Sequence, residues 1–547
     1  MGPKDRPEDL CTPPTGVATY AAEGKKGPPV KKTLFVACCA CVTLAFCGRA
    51  AANVTFGITE DTGALGDPAL FYGALNDLGT NENRIAISWD PAQPTVIQGQ
   101  ASLDYWLPQA AIHAVRILFA VAPAHPGDIT ASPERTTQFA AFLQQLARTY
   151  PFVKNYVIGN EPNQPRFWQP QFSSTGAGVS GSAYEPLLAA SYDALKAVDP
   201  SINVIGVGLS PRGNDNPVAK DNVSISPVRF LHDLGVAYRA SHRNKPLMDE
   251  LGFHPYPNQN NDPPLKGYPW PKAGIPNLDR IKQAVWDAFN GTSQPLFAER
   301  GRTAPANALK LDLDETGWQV AIPAALQSLY TGKENVVTID EGTQAQYYSD
   351  IVHFVSCDPD VRSLSFFHLV DEVDLDRWQS GLIRLDTSKR PSYVSVKNAI
   401  AQTQGKCALT PPGWTHTTSV NGATVAFGYL GNPKGWSNRL WRFRAGVQED
   451  ASYKAGVFRL AAPKLTSKAR KAVVAALANP RSKPLLAAKG TALAYKSKLV
   501  ALPKQRLKRA GWYAYGIRLA AAMNPQRTFV ALSRPFLVKA RPGTRRH

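Results

Sequence analysis

Between residue 53 and about residue 404, short apolar runs alternate with longer amphipathic stretches, eight times in succession. No other feature of the chain restricts its fold so strongly. Parallel strands need a crossover of a dozen or more residues, and that crossover is usually a helix. Strands are predicted at 54–58, 84–89, 115–121, 153–159, 202–207, 250–254, 311–315 and 363–369. Helices are predicted between them at 67–78, 103–114, 138–149, 182–198, 228–241, 278–289, 343–355 and 392–401. In the third of these, Phe139, Phe142, Leu143 and Leu146 recur at spacings of three and four, which lines one helix face. Eight such pairs predict an α/β fold, and the count favours a closed (β/α)8 TIM barrel over an open doubly wound sheet.

In such a barrel the chemistry sits at the C-terminal ends of the strands. Two glutamates occupy that place. The fourth strand runs Tyr156-Val157-Ile158-Gly159 straight into Asn160-Glu161-Pro162-Asn163. The seventh runs Leu311-Asp312-Leu313-Asp314 into Glu315-Thr316-Gly317-Trp318. Strands four and seven face each other across an eight-stranded ring, so both carboxylates are expected in one cavity. Paired carboxyl groups suit cleavage of an acetal. One, protonated, gives its proton to the leaving oxygen, while the other, ionised, attacks the anomeric carbon or activates water. A separation of about 5–5.5 Å gives retention of configuration, and about 6.5–9.5 Å gives inversion. Asp312 and Asp314 are expected as surface or lining residues. Glu60, Glu299 and Glu372 are set aside, although Glu372 also follows a strand.

These residues resemble the clan A glycoside hydrolases, the family 5 cellulase-like members in particular, over about residues 53–404. The resemblance implies a retaining mechanism with Glu161 as acid/base and Glu315 as nucleophile. It implies that Asn160 binds the sugar 2-hydroxyl, that Arg84 lies near the nucleophile, and that His254 and Tyr256 support its carboxylate. The family's strand-eight tryptophan, which floors the cleaved sugar, has no counterpart in Phe366-Phe367-His368-Leu369-Val370-Asp371-Glu372. The nearest tryptophan, Trp378, lies ten residues past His368. Trp89, Trp168 and Trp318 read equally as sugar platforms or as rim packing.

Other chemistries lack their signatures. Gly206-Val207-Gly208 follows a strand, but Pro211 stands where a dinucleotide-binding loop needs its third glycine. No Walker loop, Gly-x-Ser-x-Gly or His-Glu-x-x-His occurs. The nine histidines are scattered, so neither a metal nor an organic cofactor is expected.

The two ends read differently from the body. Residues 1–52 form a leader and signal peptide: Lys31-Lys32 precede an apolar run from Leu34 to Cys47, and Ala50-Ala51-Ala52 follows. The protein is therefore expected outside the cell. Five of the seven cysteines fall in this leader. Cys357 and Cys407 remain, either as one disulfide or as two buried thiols. Pro411-Pro412-Gly413 marks a linker over 405–415, and 416–547 is expected as a basic, mostly β accessory domain with a helix near 466–478. Tyr513, Tyr515, Ile517 and Leu519 alternate as in a strand, and so do Trp441 and Phe443.

Charge separates the two regions sharply. Residues 408–547 carry 26 Lys and Arg against Glu449 and Asp450, whereas the rest of the chain has 35 basic and 40 acidic residues. The tail should attract an anionic cell-wall polymer or a membrane surface, while nucleic acid does not suit an exported protein. Two readings of the whole follow. One is a secreted hydrolase cutting a β-linked glycan by double displacement. The other is a barrel that binds surface glycan without cutting it, anchored by its basic tail.

Overall fold

The computed structural model describes residues 54–403, 413–430, 440–502, 507 and 509–538. The leader and signal peptide, most of the linker and Cys407 lie outside the described residues. Cys357 itself is buried just beyond a helix that ends at Val355.

Eight parallel strands close on themselves in chain order: β1 (Thr55–Thr59), β2 (Glu82–Trp89), β3 (Arg116–Pro123), β4 (Asn155–Ile158), β5 (Asn203–Leu209), β6 (Glu250–Phe253), β7 (Lys310–Thr316) and β8 (Val361–Phe367). The ring shuts through β1 and β8, with Thr55 opposite Ser363 and Thr59 opposite Phe367. The crossovers are α1 (Pro68–Leu78), α2 (Gln100–Ile112), α3 (Pro133–Thr149), α4 (Ser180–Val198), α5 (Pro227–Ala240), α6 (Leu278–Phe289), α7 (Glu341–Val355) and α8 (Pro391–Thr403). This is the (β/α)8 barrel that the alternation predicts.

Local chemistry sets the ends of these elements. Asp67 accepts hydrogen bonds from the Ala69 and Leu70 amides at the start of α1, and Gly79, at φ 83°, ends it. Asp340 accepts from the Thr343 amide at the start of α7. α3 buries Phe139, Phe142, Leu143 and Leu146, the face that its spacing predicts. β8 stops two residues earlier than predicted, because the Leu369 and Val370 amides donate to Glu60 Oε2 at 3.1 and 3.2 Å instead of extending the ladder.

Beyond the barrel, two antiparallel sheets share one core. The first joins β9 (Thr424–Leu430), β10 (Leu440–Gly446) and β13 (Lys498–Ala501). The second joins β12 (Ala487–Ala492), β11 (Ala451–Leu460), β14 (Gly511–Ala521) and β15 (Thr528–Leu532), with β16 (Phe536–Val538) also on β14. Phe443 and Val500 of the first sheet pack with Val457, Tyr513, Ile517 and Leu519 of the second. α9 (Ser467–Ala478) lies against β11 and β14. The result is a sandwich with one inserted helix.

This sandwich meets the barrel at α6. Arg527 reaches Asp287 of α6 at 3.1 Å and Glu449 at 2.7 Å. Trp286 stacks on His416 with ring centroids 4.1 Å apart, and His416 also contacts Glu299. Glu299 thus belongs to the junction.

Candidate active site

The C-terminal rim of the barrel encloses a cavity of about 910 Å³ lined by Arg84, Asn160, Glu161, Tyr256, Glu315 and Trp378 among others. Five of these predicted residues come from different parts of the barrel and converge on one charge network.

Arg84, from β2, is the hub and is 3% exposed. Its Nε donates to Asp314 Oδ2 at 3.0 Å, its Nη1 lies 2.8 Å from Glu315 Oε1, and its Nη2 donates to Asn160 Oδ1 at 3.0 Å. One planar guanidinium therefore fixes three groups from two strands. Tyr256 donates its hydroxyl to Glu315 Oε2 at 3.0 Å. His254 is fully buried beneath the pair. Its Nδ1 donates to Glu161 Oε1 at 3.0 Å and lies 3.4 Å from Glu315 Oε2, while its Nε2 lies 3.4 Å from Asp314 Oδ1.

The contacts of His254 bound the spacing of the two glutamates. An atom 3.0 Å from one oxygen and 3.4 Å from another holds those oxygens no more than 6.4 Å apart.

Burial alone would lower the pKa of His254, but Glu315 and Asp314 outweigh it and raise the imidazole to about 10. It is thus a cation at neutral pH and a donor from both nitrogens. Burial pushes the Glu315 carboxyl above the ordinary range, with His254 and Arg84 pulling it back. At Asp314 the same two cations overcome burial and hold the carboxylate below its usual value. Burial, then Glu315, push the Tyr256 phenol well up, so it stays a donor.

The chain is bent to aim these groups. Successive strand side chains point to opposite faces, yet Asp314 and Glu315 both reach Arg84. The register between β7 and β8 shifts between Leu313 and Thr316, an irregularity that re-aims side chains. Just past β4, Gly159 takes φ 80° and Glu161 φ 39°. A non-glycine residue there costs about 1–3 kcal/mol and persists only where its surroundings over-determine it. The Glu161 amide donates to the Gly208 carbonyl at 2.9 Å. Asn163 then ties the loop down, donating to the Ser210, Arg212 and Ile225 carbonyls at 3.1, 3.2 and 3.0 Å. Gly208 (φ 56°) lies under His254, where a Cβ would sit 3.2 Å from Nε2.

Several expectations need correction. Asp314 and Asp312 are buried in the barrel, at 0% and 1% exposure, and Asp314 belongs to the charge network. Trp89 and Trp318 are completely buried and do not line the cavity. Trp89 packs edge-on against Phe139 and donates to the Pro94 carbonyl, while Trp318 packs on Tyr347 and Tyr348 and donates to the Asp262 carbonyl. Trp168 is buried against Tyr184. Trp378 lies differently: half-buried in the cavity wall, its ring centroid is 4.7 Å from that of Tyr256. Glu372 accepts from the Trp378 amide at 2.9 Å and so closes that loop. Glu60 also lines the cavity, and burial pushes its carboxyl up to about 8.

Among the described residues, no group of three or more His, Cys, Asp or Glu side chains is arranged to hold a metal ion. No helix among them is long and apolar enough to cross a membrane.

No family model and no curated protein matches the chain. Solved structures do. A family 39 glycoside hydrolase from the gut symbiont Bacteroides cellulosilyticus is 15% identical, with TM-score 0.44, covering 75% of this chain and 72% of the other. Xylanase 10B from Thermotoga maritima is 11% identical, with TM-score 0.41, over 65% of this chain and 98% of the xylanase. An endo-1,4-β-mannanase from Rhizomucor miehei is 14% identical, with TM-score 0.40, over 64% and 95%.

Proposed function

We propose that the chain is a secreted retaining glycoside hydrolase that cleaves O-glycosidic bonds of a β-linked oligo- or polysaccharide. The observation that carries this reading is the reach of one buried imidazole to both Glu161 and Glu315 at the mouth of a barrel. The same imidazole keeps one oxygen of each carboxyl group within 6.4 Å of the other, so both groups face one cavity.

The donors divide the roles. A guanidinium, a phenol and an imidazolium surround Glu315, which suits a carboxylate nucleophile. The imidazolium reaches Glu161, in the loop that follows β4. In the first step Glu315 attacks the anomeric carbon while Glu161 gives its proton to the departing oxygen, leaving a glycosyl ester on Glu315. In the second, Glu161 takes a proton from water as that water displaces Glu315, which restores both groups. Asn160, with its oxygen committed to Arg84, has its amide nitrogen to donate to a sugar hydroxyl. The open face of Trp378 supplies an apolar floor. Export rests on the layout of residues 1–52. The family 5 affiliation rests on Asn160-Glu161-Pro162 and Glu315-Thr316-Gly317-Trp318.

Assay against a panel of aryl β-glycosides and polysaccharides tests the reading. Glu161→Gln and Glu315→Gln are each expected to lose at least about 10²-fold in turnover, and a 2-fluoro glycoside should label Glu315. Unchanged turnover in either variant would remove that residue from the mechanism.

A further inference from the structure

The C-terminal sandwich holds a second cavity, of about 680 Å³, between α9 and the five-stranded sheet. Its walls are hydrocarbon: Leu460 from β11, Ala472 and Val473 from α9, Leu485 and Leu486, and the ring of Tyr513. Leu485 is 54% exposed, so part of this apolar wall faces water. Arg459, Lys483 and Arg509 line the same cavity.

Those three cations find no neutralising charge in their own region. The two acids of residues 408–547 are Glu449 and Asp450. Glu449 is occupied by Arg527, and Asp450 accepts from the Ala494 amide at 2.8 Å. The three are exposed and face the groove without a carboxylate of their own region beside them, so an anionic group entering it meets cations alone. A polyanionic chain alone would use the cations but leave the hydrocarbon walls wet. A neutral apolar molecule would do the reverse. The volume falls within the roughly 300–1,000 Å³ of small-molecule pockets, which are mostly apolar with a few placed polar groups.

We propose that this groove binds a single-chain anionic amphiphile. Its hydrocarbon chain lies against α9, and its carboxylate or phosphate head sits among Arg459, Lys483 and Arg509. Filling the groove removes apolar surface from water on both partners. The head group supplies the charge that the sandwich lacks. The site is independent of the barrel cavity and of the reaction proposed for it.

Fluorescence titration of the full chain with 11-(dansylamino)undecanoic acid, kept below micelle-forming concentration, tests this. Saturable one-to-one binding is expected, displaced at least about tenfold more effectively by decanoate than by decanol. Ala472→Trp, which fills the groove from an exposed helix position, should weaken binding at least tenfold. So should the surface pair Lys483→Glu/Arg509→Glu, which carries the test if the tryptophan variant fails to fold. Glu315→Gln should leave binding unchanged. Decyl phosphate in place of decanoate separates phosphate from carboxylate preference. Equal displacement by decanol, binding unaltered by the charge reversals, or binding lost in Glu315→Gln would each overturn the proposal.

Discussion

The barrel and the C-terminal sandwich handle charge in opposite ways. The barrel buries its ionic groups and pairs them internally. Arg84 meets Asp314 and Glu315, Lys282 meets Asp358 and Asp360, and Arg390 meets Asp371 and Glu341. The sandwich carries far more cations than acids, and among its described residues one internal ion pair forms, Arg527 with Glu449. Charge taken out of water must be compensated by neighbours at fixed distances, so it can position a reacting group. Charge left in water acts over a Debye length and recognises sign more than geometry. The first arrangement fixes side chains in place, and the second leaves them to solvent and salt.

The largest break in that contrast should come from Arg84→Met. It leaves Asp314 and Glu315 buried with His254 as their one remaining cation, and removing one partner of a buried ion pair typically destabilises by about 3–5 kcal/mol. A marked fall in the thermal midpoint is expected. With the guanidinium gone, the Glu315 carboxyl rises further, so the acidic limb of the pH–activity profile should move to higher pH. Calorimetry and a pH–rate series check the two effects separately. A limb that stays in place would show that Arg84 does not hold the ionisation of Glu315.

Tyr256→Phe is a smaller perturbation of the same network. It removes one hydrogen bond to Glu315 and leaves both cations. A hydrogen bond to a charged group contributes about 1.5–3 kcal/mol, so turnover should drop roughly 10- to 100-fold with the fold intact. Loss of turnover with an unchanged thermal midpoint would place the effect in the site. Trp89→Phe, at a buried packing position, should show the converse.

That pair of substitutions marks where the sequence was legible. The barrel could be read because the eightfold alternation is a property of the chain alone; α6 falls where its pattern predicts, at Leu278–Phe289. Glu161 and Glu315 could be placed at the mouth because strand ends project there. The tryptophans could not be sorted. Trp89 and Trp378 differ only in what later segments bury, and Trp89 is sealed by Phe139 of α3. Asp314 was missed for a geometric reason: alternation puts neighbours on opposite faces, and the register shift in β7 is not written in its composition. Glu60 was missed because its partners, the Leu369 and Val370 amides, stand more than 300 residues away.

Carboxyls whose burial outweighs their partners give the barrel a dependence on pH that the sandwich should lack. Burial raises Glu250 to about 7 and Glu60 to about 8, against roughly 4.3 for an unfolded glutamate. A raised carboxyl favours the protonated native state. Its contribution is complete below the unfolded value and is lost as pH climbs through the folded one. Thermal stability should therefore decline as pH climbs from about 4.3 to about 8, by about 2–4 °C for each kcal/mol withdrawn. His368, which burial lowers to about 4, works the other way between that value and the ordinary imidazole value of about 6.5, because there only the unfolded chain binds its proton. Glu250→Gln should flatten the slope; an identical slope in wild type and variant would exclude Glu250 as its source.

The smallest expected effect is the most discriminating between the two regions. Raising ionic strength from about 0.1 M to 1 M shortens the Debye length from roughly 10 Å to 3 Å. Exposed cations lose their reach under that change, whereas ion pairs inside a barrel are screened far less. The full chain should elute from an anionic matrix over that range. Its turnover of a neutral aryl glycoside should change by less than about twofold, because Arg84 and His254 are buried with their partners, where salt screens little. A large loss of turnover with salt would mean that exposed charge guides even a neutral substrate, and the division between a buried chemical network and an exposed adhesive one would fail.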